Sequence, residues 1–139
     1  MDGVILTPLD RIINPKGDIL HAMKNSDFVY DGFGEAYFSN INKNQIKGWK
    51  LHSLMTLNII VPVGVIKFVL YNNIKNEYFD INLSQSNYQR LTIKPNLWVA
   101  FMGLEKENML LNLANIEHNP QESKSMDIDA IKYNWNINS

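Results

Sequence analysis

The stretch Lys47-Gly48-Trp49-Lys50-Leu51-His52 places an imidazole two residues from an ammonium. Along a strand, Lys50, His52 and Leu54 point one way, while Leu51, Ser53 and Met55 point the other. Lys50 and His52 can therefore project together into one cavity. A cation beside an imidazole favours its neutral form, and a neutral imidazole near pH 7 is the usual general base. The plainer reading makes His52 an ordinary half-exposed strand residue. Spacing alone does not separate the two.

Other chemistry is thinner. A His-x-His pair would suit a transition metal, but Lys50 stands where the first histidine would be. The other two histidines, His21 and His118, are distant. The chain has no cysteine, which removes disulfides, thiolate catalysis and zinc–thiolate sites. We expect no metal and no cofactor. His118, in Asn-Ile-Glu-His-Asn-Pro, reads as a loop cap, with substrate contact as the alternative. Glu35 precedes a strand and can face a pocket, and Tyr37, Trp49, Trp98 and Phe101 lie among strands. Most of these aromatics read as core, though one or two could stack on a base or a sugar ring. Gly32-Phe33-Gly34 lacks the following helix that a phosphate-cradling loop needs.

The elements that must hold these groups read as strands. Residues 36–41, 49–62, 65–71, 78–83, 89–93, 98–104 and 109–116 alternate or are rich in β-formers. Polar turns at 72–73, 84–87, 95–96 and 105–108 suit hairpin loops. Several short strands without a long helix predict an all-β sandwich or barrel. The length of 139 residues suits one domain, with a barrel core over about residues 10–121 and a polar tail over about 122–139 that frays beyond Trp135. A net charge of −1 without a basic run argues against nucleic acid. The start Met-Asp-Gly predicts no signal peptide, and the apolar run 59–66 is too short for a membrane span. A cytoplasmic setting follows as the default. Residues 57–63 and 109–114 are apolar on both alternations, so both faces need cover, and a second subunit would supply it.

A family resemblance enters with two segments, YFSNINKNQIKGWKLHSLMTLNIIVPVGVIKFVLYN and INLSQSNYQRLTIKPNLWVAF. Together they resemble the cupin enzymes that act on dTDP-linked keto-sugars: the dTDP-4-dehydrorhamnose 3,5-epimerases and the dTDP-4-keto-6-deoxyhexose 3,4-ketoisomerases. The resemblance covers roughly residues 10–121. Lys47-Gly48-Trp49 stands where those enzymes have an Arg-Gly-aromatic or Arg-Gly-Leu step. Lys50 occupies the first histidine position and His52 the second. Leu83-Ser84 and Asn87 match a Leu-Ser-x-x-Asn motif, and Pro95, Trp98 and Phe101 match a proline–aromatic segment in which Val99 replaces a histidine. Asn112 falls where the epimerase keeps an acidic tyrosine.

The resemblance implies a metal-free cupin-type jelly roll, a homodimer, and a cytoplasmic role in making surface-polysaccharide sugars. It implies proton abstraction next to the keto group of a nucleotide-linked 4-keto-6-deoxysugar. His52 would be the base and Lys50 its electrostatic partner, with Lys47, Trp98 and Asn112 at the substrate. Glu35, Tyr37, Thr56, Asn58 and His118 are further candidates for the pocket. The alternatives are a nucleotide-sugar-binding or partner-binding cupin without turnover, and a β-sandwich subunit without a pocket.

Overall fold

Strand alternation builds two sheets whose inward side chains meet. In a computed structural model, which describes residues 1–136, strands β1 (Val4–Pro8), β4 (Glu35–Asn40), β6 (Leu57–Val63), β9 (Gln89–Ile93) and β11 (Met109–Ala114) form one antiparallel sheet in the order β1-β9-β6-β11-β4. Strands β5 (Ile46–His52), β7 (Ile66–Asn72), β8 (Glu77–Leu83), β10 (Trp98–Gly103) and β12 (Ser123–Ser125) form the second, in the order β12-β5-β10-β7-β8. A small hairpin pairs β2 (Arg11–Ile12) with β3 (Ile19–Leu20). The first sheet buries Leu57, Ile59, Val61, Leu91, Ile93 and Leu110 against Ile66, Phe68, Leu70, Leu83 and Val99 of the second. This is the expected all-β jelly roll.

The chain changes sheet at almost every connection between β4 and β11. Two expectations change as a result. The run 49–62 is not one strand: it ends at His52, crosses between the sheets, and resumes at Leu57. Of the four polar turns expected as hairpin loops, the one between β7 and β8 closes a hairpin, and the other three link one sheet to the other. Gly64 makes the crossing from β6 to β7 possible. Its φ is +78°, and a Cβ there would lie 2.1 Å from the Glu107 carbonyl oxygen.

Part of each outer face is covered by the chain itself. Trp49, Leu51, Val69, Trp98, Ala100 and Met102 pack outside the second sheet against Ile131 and Trp135. The Trp49 indole N–H donates to the Ile128 carbonyl at 3.0 Å. The segment after residue 121 is therefore not a solvated tail through most of its length. Met126, Ile128, Ile131, Tyr133 and Trp135 give it an apolar side, and full burial of side chains of this size stabilises by roughly 1.5–3 kcal/mol each. The expected fraying beyond Trp135 falls almost wholly outside the described residues.

Outside the first sheet, the fully buried Arg90 donates to the Ala22 carbonyl at 2.7 Å and to Asp27 at 3.2 Å. Asn115 donates to Asp31 at 3.3 Å. The segment 21–34 is held there by polar contacts, and Ile60, on β6, is buried within the single chain. In-chain cover thus accounts for part of the two-faced apolar pattern.

Candidate active site

A bulge sets which side chains of β5 look inward. Opposite β10, Val99 pairs with Lys50 but Ala100 pairs with Gly48, so Trp49 is an extra residue and the alternation shifts by one. Gly48 permits this, with φ +140° and only 2.5 Å between a built Cβ and that of Ala100. Lys47 and Lys50, three apart, consequently line the same cavity as His52, while the Trp49 side chain is buried in the cluster outside the sheet.

That cavity, of about 310 Å³, lies between the sheets. One wall carries Tyr37, Ser39, Leu57, Ile59, Leu110 and Asn112. The other carries Lys47, Lys50, His52, Val99 and Phe101, with Ser125 from β12. Lys47 is exposed, so it sits at the rim, where its ammonium donates to the Asn40 carbonyl at 2.6 Å and to Ser39 Oγ at 3.3 Å.

His52 is oriented by a carboxylate that sequence reasoning missed. Its Nδ1 donates to Glu122 Oε1 at 2.5 Å, and both side chains are largely buried. The other carboxylate oxygen accepts the backbone N–H of Leu54 at 3.0 Å and of Met55 at 3.3 Å. Both the N–H and the hydroxyl of Ser53 donate to the Glu122 carbonyl at 2.8 Å. Burial works to raise the pKa of the Glu122 carboxyl, but the hydrogen bonds from His52, Leu54 and Met55 outweigh it and hold the group below its ordinary value. With Nδ1 committed to this carboxylate, the neutral ring keeps its lone pair on Nε2, a proton acceptor on the cavity wall.

Across the cavity, Asn112 Oδ1 accepts the backbone N–H of Asn58 at 3.0 Å, and Asn112 Nδ2 donates to the Tyr37 hydroxyl at 3.0 Å. The structure thus brings His52, Lys50, Lys47, Tyr37 and Asn112 to one cavity. It places the other five candidates elsewhere. Trp98 is one residue out of phase with Val99 and packs outside the second sheet. Asn58 is buried on the outer face of β6, accepting from Thr92 at 2.8 Å. Thr56 precedes β6 and is buried, its N–H bound to Asn115. Glu35 and His118 meet away from the cavity, where the carboxylate accepts the His118 backbone N–H at 2.8 Å and anchors a loop. The local signal for Glu122 was the Asn-Pro pair before it: Asn119 caps a short 3-10 turn, Pro120–Glu122, by accepting from the Gln121 N–H. Among the described residues no group of three or more His, Asp or Glu could hold a metal ion, and no helix is long and apolar enough to cross a membrane.

No protein-family model matches the chain, and the curated proteins give no match. Solved structures do match. A dTDP-sugar isomerase from Desulfovibrio desulfuricans G20 is 31% identical, over 99% of this chain and 94% of that one, with a TM-score of 0.93. The chain belongs to the dTDP-sugar isomerase family. A variant of the 3,4-ketoisomerase QdtA from Thermoanaerobacterium thermosaccharolyticum, in complex with TDP-4-keto-6-deoxyglucose, is 20% identical over 89% of this chain and 88% of that one, with a TM-score of 0.79. The 3'-monoepimerase ChmJ from Streptomyces bikiniensis, as a double mutant in complex with dTDP, is 11% identical over 91% of this chain and 70% of that one, with a TM-score of 0.83. At these identities the last two share the fold alone. The resemblance read from the glycine–aromatic and histidine segments is borne out, as is the cupin fold.

Proposed function

We propose that this family member isomerises a dTDP-linked 4-keto-6-deoxysugar by removing a proton from carbon next to the ketone, with His52 as the base. The observation that carries the reading is the His52–Glu122 pair on the wall of a cavity shared with Lys50. His52 Nε2 takes the proton, the C–H electron pair becomes a C=C bond, and the carbonyl pair moves onto oxygen. Lys50, on the same wall, is the cation for that oxygen. The apolar side chains of Leu57, Ile59, Val99 and Leu110 on the cavity walls suit a deoxygenated sugar edge. At about 310 Å³ the cavity falls at the low end of the roughly 300–1,000 Å³ usual for small-molecule sites. It suits the sugar ring, with the diphosphate leaving past Lys47 at the rim.

The same proposal includes a homodimer and, from the family resemblance, a cytoplasmic role in making surface-polysaccharide sugars. Support for the dimer is the exposure of Ile13, Ile19, Phe28, Phe33 and Phe38 on the N-terminal third of the chain. The test of the chemistry is to incubate the protein with dTDP-4-keto-6-deoxyglucose in deuterated water and follow the carbons beside the ketone by NMR. Exchange is expected with the native protein and its loss with His52→Asn. No exchange alongside intact binding, measured as a ligand-induced rise in thermal midpoint, would reduce the protein to a binding module.

A further inference from the structure

We propose that Ser125 determines specificity: its hydroxyl binds the sugar hydroxyl on the carbon next to the ketone, so the site takes 4-keto-6-deoxysugars that carry that hydroxyl in preference to their 3-deoxy analogues. The inference rests on the proposed substrate, with its ketone oxygen at Lys50, and adds the group that reads the neighbouring carbon.

Strand register puts the hydroxyl there. β12 runs antiparallel to β5, with Ser123 opposite His52, Lys124 opposite Leu51 and Ser125 opposite Lys50. Directly opposed side chains share a face, with Cβ atoms about 4.5–5.5 Å apart. Leu51 packs outside the sheet, whereas Lys50 and Ser125 line the cavity together. Backbone hydrogen bonds clamp the short strand at each end. The Ser53 N–H donates to the Glu122 carbonyl at 2.8 Å, the Met126 N–H to the Trp49 carbonyl at 3.0 Å, and the Trp49 N–H to the Met126 carbonyl at 3.1 Å. Ser125 is therefore held in place before a ligand arrives, as a specificity contact requires.

Hydrogen-bond capacity on this wall decides what the serine takes. Lys47 is spent on Asn40 and Ser39, and His52 Nδ1 on Glu122. Among the described residues the serine side chains that hydrogen-bond are those of Ser39, Ser53, Ser84 and Ser86, and Ser125 is not one of them. What remains for a ligand on this wall is His52 Nε2, Lys50 Nζ and Ser125 Oγ. Nε2 takes the C–H proton. An ammonium only donates, which suits the ketone oxygen, whereas a serine hydroxyl both donates and accepts. A sugar hydroxyl that leaves water must give its own proton to an acceptor, and Ser125 Oγ is the acceptor left on the wall. The ketone of a 4-keto-6-deoxysugar has C5 on one side, whose side group is a methyl, and C3 on the other, which carries a hydroxyl. Lys50 and Ser125, side by side, match the adjacent oxygens on C4 and C3.

The test pairs side chain with substrate. Affinities for dTDP-4-keto-6-deoxyglucose and for its 3-deoxy analogue are measured from the ligand-induced rise in thermal midpoint, on the native protein, Ser125→Ala and Ser125→Thr. Deuterium exchange beside the ketone is followed by NMR in the same samples. The native protein is expected to favour the 3-hydroxy sugar by about tenfold, the size of one neutral hydrogen bond. Ser125→Ala is expected to abolish that preference by weakening the 3-hydroxy sugar alone, and Ser125→Thr, which keeps a hydroxyl, to retain it. A preference that survives Ser125→Ala, a native protein without one, or an equal loss for both sugars, as displacement of β12 would give, each overturns the proposal. Exchange absent from the native protein with the preference intact would remove the proton-abstraction reading and leave this contact standing.

Discussion

Replacing Glu122 by Gln is the sharpest probe of how the site is held. The carboxylate uses one oxygen on His52 Nδ1 and the other on the N–H groups of Leu54 and Met55. An amide has a single oxygen. Facing the backbone, that oxygen keeps both N–H groups satisfied but presents an NH₂ to Nδ1, which must then accept, and the ring proton moves to Nε2. The base disappears although the shape is kept. Loss of a positioned general base lowers a rate by about 10²–10⁴, equivalent to roughly 2.7–5.4 kcal/mol of transition-state stabilisation. Turned the other way, the amide saves the imidazole and leaves two N–H groups facing an NH₂, at about 1–3 kcal/mol each where buried. Stability and rate therefore fall in trade for one another. The pH dependence carries a second signature. In the folded protein the Glu122 carboxyl titrates below its ordinary value of 4.5. Its contribution to stability is thus complete above that ordinary value and is lost as pH falls through the depressed one. Denaturant titrations between neutral and acid pH should show this limb in the native protein and lack it in Glu122→Gln. Deuterium exchange at the sugar carbons measures the rate. A variant with native exchange rate and an unchanged acid limb would refute the argument that this carboxylate orients the base.

Three further outcomes rest on named contacts. Lys50→Met should lower turnover by about 10²–10³, as expected for loss of a charge that stabilises the developing enolate, with little change in thermal midpoint because Lys50 makes no side-chain ion pair among the described residues; turnover near the native value would remove Lys50 from the mechanism. Asp27→Ala should destabilise more than Arg90→Met in urea titrations. The first leaves a fully buried guanidinium without its carboxylate, and two of its nitrogens already lack partners; the reverse order would refute the accounting. Gly64→Ala should cost about 1–3 kcal/mol or more by the same measurement, because φ is positive and the new Cβ meets the Glu107 carbonyl.

The fold is legible in the sequence because strand alternation and turn chemistry are local, and the same alternation puts His52 and Lys50 on one wall. Strict alternation would assign Lys47 to the other wall, and the bulge at Trp49 returns it. That bulge depends on how closely Gly48 approaches Ala100, a contact between strands that no local pattern reports. Trp98 reads as a pocket residue through the same kind of error, one step of phase. Glu35 and His118 each look chemical alone, but the Glu35 carboxylate is spent on the His118 backbone N–H. Glu122 is illegible for a different reason. It lies 70 residues from its imidazole, in a stretch whose surface pattern reads as polar.

The position of that carboxylate ties the chemistry to the segment that covers the outer face of the second sheet. Strand β12 pairs with β5, Ser123 opposite His52, and so delivers Glu122 to the imidazole and Ser125 to the cavity. Most of the hold on β12 comes from residues 126–135. Three residues of edge pairing are weak, whereas Ile131 and Trp135, buried on Trp49 and Trp98, supply several kcal/mol. The Trp49 side chain that receives this packing belongs to the bulged residue whose extra place in β5 puts Lys47 on the same wall as Lys50 and His52. One indole thus serves both ends of the arrangement: the phase of the strand that carries the base, and the docking of the segment that carries the carboxylate. A site assembled this way is complete only when the outer face of the sheet is covered, so its activity and the packing of residues 126–135 rise and fall together.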